Sequence, residues 1–168
     1  MAGRSSAKLD APEQIKAHIL IIEARYHTAV ADALVAGAIA EIEAAGASYA
    51  RLAVPGALEI PQLLASAVGA GLIPADAGDA RFDGAIALGC VIRGETTHYE
   101  TVSNESNRCL MDIAIRHGIP IGNAILTVEN EAQAMARAHG GRESKGADAA
   151  RACLALIAHA RAFEEIAE

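Results

Sequence analysis

The segment Ile92-Arg93-Gly94-Glu95-Thr96-Thr97-His98 gathers a glycine, two hydroxyls and an imidazole into one short loop. Gly94 admits a turn or a close backbone approach. Thr96 and Thr97 stand where a helical pattern begins. Backbone N–H groups and hydroxyls at a helix N-terminus make an anion site, although threonine there is also an ordinary cap. His98 comes next, and histidine titrates near neutrality, which suits it to moving protons. A second loop, Val54-Pro55-Gly56-Ala57-Leu58-Glu59-Ile60-Pro61, puts Glu59 at a helix start. The helix dipole stabilises a carboxylate there whether or not it has a further role. A third loop carries Arg25, Tyr26 and His27. Tyr26 is placed to stack on a flat heteroaromatic ligand, or is simply an exposed ring. Arg137, Arg142 and Lys145 form a cationic group near the C-terminal helices. They read either as a solvated helix end or as a phosphate clamp.

The elements that must position these residues follow from apolar periodicity. His18 to Ile22 is a short apolar run, long enough for a buried strand. Ser48 to Val54 reads as a weaker strand, Gly84 to Ile92 as a buried central one, and Ile119 to Leu126 as the fourth. Thr28 to Ala45 reads as a helix ended by Gly46. Further helices span Leu58 to about Ala70, His98 to His117, Glu129 to Ala138 and Lys145 to Ala167. Residues 1–15 read as a flexible tail without the apolar core of a secretory signal, and Gly69 to Ala80 as a surface loop. Regular alternation of strand and helix predicts right-handed crossovers and a parallel sheet covered on both faces. The expected fold is a three-layer α/β/α sandwich with a four-stranded parallel sheet, formed by one domain over residues 16–168. Ligands of such sheets sit beyond the carboxyl ends of the strands. That rule selects the loops Glu23–His27, Val54–Glu59, Ile92–His98 and Thr127–Asn130.

Composition removes several classes of function. The chain has 168 residues, 14 Lys plus Arg against 21 Asp plus Glu, and a formal charge of −7. That sign argues against a broad nucleic-acid or anionic-membrane surface. No apolar run approaches the roughly 18–20 residues of a membrane span. Cys90, Cys109 and Cys153 are odd in number and lack metal-ligand spacing. They read as small core residues of a reduced, cytoplasmic chain. Aromatics are only 3%, so the core is expected to be aliphatic and Ala-rich.

Taken together, VPGALEIP, GCVIRGETTHYETV, ILTVENEAQAMARA and the Lys145-Gly146-Ala147-Asp148 segment resemble the 6,7-dimethyl-8-ribityllumazine synthases. The resemblance runs in order from about Ala17 to the C-terminus. It implies a flavodoxin-like fold and the condensation of 5-amino-6-(D-ribitylamino)uracil with 3,4-dihydroxy-2-butanone 4-phosphate. Phosphate and water leave, and no cofactor or metal is used. It implies a homopentamer, or an assembly of pentamers, with sites at subunit interfaces, and an association with riboflavin synthase. By the same resemblance, Tyr26 stacks on the pyrimidine. Ala57, Leu58 and Glu59 hold the ribityl chain and pyrimidine, and Cys90, Val91 and Ile92 line the pyrimidine pocket. Glu95 and Thr96 receive the phosphate, His98 transfers protons, Arg137 binds phosphate, and Lys145 lies near the pocket.

Three departures stand out. Glu95 occupies a position that is often small in the family, so its backbone rather than its carboxylate is expected to bind. Asn123 stands where many relatives carry a bulky apolar ring, so stacking is expected to rest on Tyr26 alone. The Gly69–Ala80 loop is longer than in compact relatives and is expected away from the chemistry. Two other readings compete: a shell or ligand carrier that has lost the chemistry, and a flavodoxin-like signalling or flavin-binding domain. Glu59, His98 and Arg137 together argue against the first. The second lacks its acidic pair after the first strand, its Asp after the third, and a hydroxyl-rich phosphate loop.

Overall fold

The computed structural model describes residues 12–74 and 81–168. Residues 1–11 of the expected tail and 75–80 of the expected loop lie outside the described residues. Four strands, β1 (His18–Ala24), β2 (Ser48–Val54), β3 (Gly84–Ile92) and β4 (Ile121–Val128), pair in parallel in the order β2-β1-β3-β4. Five helices connect and follow them: α1 (Thr28–Ala44), α2 (Glu59–Gly69), α3 (His98–His117), α4 (Glu131–Ala138) and α5 (Lys145–Ala167). The result is the flavodoxin-like α/β sandwich expected from the alternation of elements.

Side-chain alternation along the strands sorts the core into two layers. Ile19, Ile21, Ile86 and Leu88 face α1, α4 and α5. Leu20, Ile22, Ala85 and Ala87 face α2 and α3. The first layer is the deeper one. It is close-packed because α5 carries small residues where it meets its neighbours. Gly146 rides against the backbone of Leu34 in α1, and a Cβ there would fall well inside van der Waals contact with the Leu34 carbonyl. Backbone cannot yield as a flexible side chain can. Gly146→Ala is therefore expected to destabilise the fold by about 2–3 kcal/mol, measured as a lower midpoint in urea. An unchanged midpoint would show that α5 can lift off α1 at no cost.

Several boundaries differ from the periodicity reading: β1 runs on to Ala24 and β4 to Val128, and α1 and α2 are shorter by a residue at the ends. The fourth strand starts at Ile121 rather than Ile119, because Ile119 belongs to the end of α3. Its N–H donates to the Ala114 carbonyl at 3.0 Å across Gly118, which sits at φ 62°. This is the left-handed cap that glycine adopts readily. The helix after β4 starts at Glu131 rather than Glu129, because Asn130 is its cap and accepts from the Gln133 N–H at 2.9 Å. A short 3-10 turn, Gly141–Glu143, joins α4 to α5. Within the expected tail, the chain is already docked at Ile15, whose N–H donates to the Ala45 carbonyl at 2.9 Å.

Candidate active site

The strand order reverses direction between β1 and β3, and a cavity of about 370 Å³ opens beyond their carboxyl ends. This is the switch point at which open α/β sheets bind ligands. Its size is within the range of small-molecule sites. Cys90, Val91 and Ile92 from the end of β3 line it. Gly56 to Glu59 wall one side, Gly94, Thr96 and His98 another, and Tyr26 and His27 the third. Each wall is the start of a helix, because each loop feeds directly into α1, α2 or α3.

Those three helices share a further property. None has a side-chain cap at its N-terminal residue, whereas α4 is capped by Asn130 and α5 by Ser144. The three helices that start at the cavity thus lack a side-chain cap, and the two that start elsewhere have one. In the α3 turn, the Thr96 hydroxyl accepts from the His98 N–H at 3.3 Å. In the α2 turn, the Glu59 N–H donates to the Gly56 carbonyl at 3.2 Å. Converging helix N-termini favour an anion. Yet no Arg or Lys is among the described residues that line the cavity.

Tyr26 is 79% exposed and meets His27 edge to face, with ring centroids 5.0 Å apart. The ring keeps an open face of the kind that stacks on a planar ligand. Burial, with a smaller contribution from Glu131, pushes the Cys90 thiol up to about 11. It stays protonated at neutral pH and serves as wall rather than nucleophile. Cys153 is fully buried on the inner face of α5, and burial pushes its thiol up to about 12.

Of the residues singled out in the sequence, Tyr26, Ala57, Leu58, Glu59, Cys90, Val91, Ile92, Thr96 and His98 line this one cavity. Glu95 is exposed on the same turn but does not line it. Asn123, on β4, also lies outside. Its amide donates to Asn107 Oδ1 at 2.7 Å and its carbonyl accepts from the Ile125 N–H at 2.8 Å. Arg137 is exposed on α4 and donates to the Gln133 carbonyl at 2.9 Å. Lys145 pairs with Asp148 at 2.9 Å at the start of α5. The cationic group read in the sequence therefore does not form one cluster. Arg142 in particular is committed elsewhere: with Arg151 it holds the buried carboxylate of Glu41, each at 2.9 Å. Burial works against the charge on Glu41, but hydrogen bonds and charge from Arg142 and Arg151 outweigh it and hold the carboxyl below its usual range.

His27, Gly56 and Gly94 line the cavity as members of the selected loops, and Tyr99 and Val102 also line it without having been assigned to a site. Val102 follows His98 by four positions, so helical spacing alone places it on the same face.

The fold and cavity define an α/β enzyme that binds small molecules at the carboxyl edge of a parallel sheet. The sequence model of the 6,7-dimethyl-8-ribityllumazine synthase family matches residues 16–161. A protein named 6,7-dimethyl-8-ribityllumazine synthase from Agrobacterium fabrum is 53% identical over 142 residues, covering 84% of this chain and 93% of that one. A protein of the same name from Methylobacterium radiotolerans is 49% identical over 154 residues, covering 92% and 88%. A third, 6,7-dimethyl-8-ribityllumazine synthase 1 from Rhodopseudomonas palustris, is 52% identical over 141 residues, 84% of each chain. The chain belongs to the 6,7-dimethyl-8-ribityllumazine synthase family.

Proposed function

We infer that the protein condenses 5-amino-6-(D-ribitylamino)uracil with 3,4-dihydroxy-2-butanone 4-phosphate to 6,7-dimethyl-8-ribityllumazine, releasing phosphate and water. This is the penultimate step of riboflavin biosynthesis. The observation that carries the reading is the convergence of Tyr26, Glu59, Thr96 and His98, from three separate loops, on one cavity at the switch point. In this reading Tyr26 stacks on the pyrimidine over the Cys90–Ile92 wall. The Ala57–Glu59 turn holds the ribityl chain. The backbone at Glu95 and the Thr96 hydroxyl receive the phosphate.

The uracil 5-amine attacks the ketone carbon and water leaves as the imine forms. Phosphate then departs by elimination. The second amine attacks the carbonyl that results, and loss of water closes the ring. Each step moves a proton, and His98 takes and returns it. Helix N-termini and the arginine stabilise phosphate as it leaves.

The reading includes one domain over residues 16–168 in a homopentamer or an assembly of pentamers. A neighbouring subunit supplies Arg137, Lys145 and Asn123 to the site. Two observations support this. The cavity holds no Arg or Lys of its own among the described residues, and Arg137 projects from the surface instead. In addition, α3 buries only Ser103, Ser106 and Leu110 of its 20 residues and leaves Met111 and Ile115 58% and 77% exposed. No helix is long and apolar enough to cross a membrane among the described residues. The proposal places the enzyme in the cytoplasm, with riboflavin synthase as an associating partner.

Mixing both substrates with the purified protein tests the reaction. Lumazine absorbance should rise with release of one phosphate per ring formed. Light scattering on the same sample should give a multiple of five subunits. No lumazine, or a monomer that is fully active, would refute the corresponding half of the reading.

A further inference from the structure

Arg93 opens the loop between β3 and α3 and lies outside the cavity lining. The structure gives it four contacts at once. Its N–H donates to the Val128 carbonyl at 2.9 Å, beside the end of β4. Its Nε reaches both oxygens of Glu129, at 3.1 and 2.9 Å. Its Nη1 donates to Glu100 in the first turn of α3 at 2.9 Å. Its guanidinium carbon lies 4.3 Å from the centroid of the Tyr99 ring. Glu100 and Tyr99 are the residues that immediately follow His98, and Tyr99 lines the cavity. The bond from Arg93 also holds the Glu100 carboxyl below the usual carboxylate range.

The connection continues beyond Glu129. The Glu129 N–H donates to Gln133 Oε1 at 2.9 Å, and the Gln133 carbonyl accepts from Arg137 at 2.9 Å. One guanidinium thus ties the turn that carries His98 to the loop from which α4 and Arg137 project. A planar fork is needed for this. A lysine is a point charge and cannot meet Glu129, Glu100 and the Tyr99 face together. The cap residue of α3, Thr97, makes no side-chain bond to the first turn, and the one local bond there, from the His98 N–H to the Thr96 hydroxyl, is long at 3.3 Å, so the contacts from Arg93 add the remaining anchorage.

We propose that Arg93 is a positioning residue for the condensation, holding the first turn of α3, and with it His98, against the β4–α4 loop. The inference rests on the functional reading above and deepens it, assigning a residue outside the cavity that acts through one inside. Misplacing a proton-transfer group by a fraction of an ångström lowers kcat while leaving most binding contacts in place.

The test is a mutant cycle on the full, assembled protein. Arg93→Ala is expected to lower kcat about tenfold when His98 is present and less than about twofold in a His98→Ala background, because residues acting through one group are not additive. Arg93→Lys should recover less than half of the loss. Hydrogen–deuterium exchange supplies a readout independent of turnover: the amides of residues 94–100 should exchange at least about tenfold faster in Arg93→Ala, with β3 unchanged. Equal kcat losses in both backgrounds, full rescue by lysine, or unchanged exchange would each overturn the assignment. A wild-type protein that forms no lumazine would refute the reaction itself, and exchange at residues 94–100 would then still decide whether Arg93 holds the turn.

Discussion

Replacing His98 with alanine is expected to lower kcat about 100-fold and to leave a measurable residual rate. The size follows from what remains. His98 lines the cavity on the α3 turn, its backbone N–H bonded to the Thr96 hydroxyl, and Glu59 lines the same cavity from the α2 turn. Loss of the imidazole removes a proton carrier from every step of the sequence. The cavity walls and the helix N-termini survive the substitution, so both reactants are still held in register. Positioning alone retains a large advantage over a bimolecular encounter. KM for both substrates should change little, since the imidazole is assigned to proton transfer rather than to binding. Steady-state lumazine formation measures both parameters. A variant with no detectable rate would mean that His98 does more than carry protons. One with full activity would remove it from the mechanism.

Arg137→Ala should act on the other parameter. A charged hydrogen bond to phosphate is worth about 1.5–3 kcal/mol, so KM for the phosphorylated butanone should rise roughly 10- to 150-fold. KM for the ribitylaminouracil should stay near its wild-type value. A normal KM for the phosphosugar would end the clamp assignment. The same variant tests where the arginine works. Rings assembled from equal amounts of His98→Ala and Arg137→Ala subunits contain some sites with an intact histidine from one subunit and an intact arginine from the next. By random mixing in a closed ring, roughly a quarter of the sites are complete. At phosphosugar concentrations well below the raised KM, activity should therefore return to about that fraction of wild type. If Arg137 served its own subunit, no mixed site would be complete and the rate at those concentrations would stay at the average of the two separate variants.

The chain made some of this legible and hid the rest, for physical reasons. The strand Gly84–Ile92 and the helix His98–His117 keep the bounds that apolar spacing predicts, because each is bracketed by residues with strong local preferences. The loop between them is legible for the same reason: it is what two unambiguous elements leave over. Nine of the residues singled out meet in one cavity because the carboxyl-end rule depends on strand direction, and direction follows from alternation. Long-range pairing is different. Nothing local marks Arg142 as the partner of Glu41, 101 positions away, so its charge looked as available as that of Arg137. The role of Arg93 is not legible locally, because its partners, Glu100 and Glu129, flank two different loops and come together only once β3 and β4 pair. The shifted starts of β4 and α4 share a cause. Ile119 finishes a helix through its backbone N–H and Asn130 begins one through its side-chain oxygen, and hydropathy does not see caps.

The shallow seat of α3 has a consequence in mass action. A 20-residue helix with three buried side chains leaves the second layer of the core thin. In a closed ring, Met111 and Ile115 would leave water only when another copy arrives. The free energy of that step then belongs to the subunit concentration as much as to the sequence. Dilution would loosen α3 before it touches the α1–α5 layer. The first property lost would be the alignment of the turn that begins α3, where His98 stands.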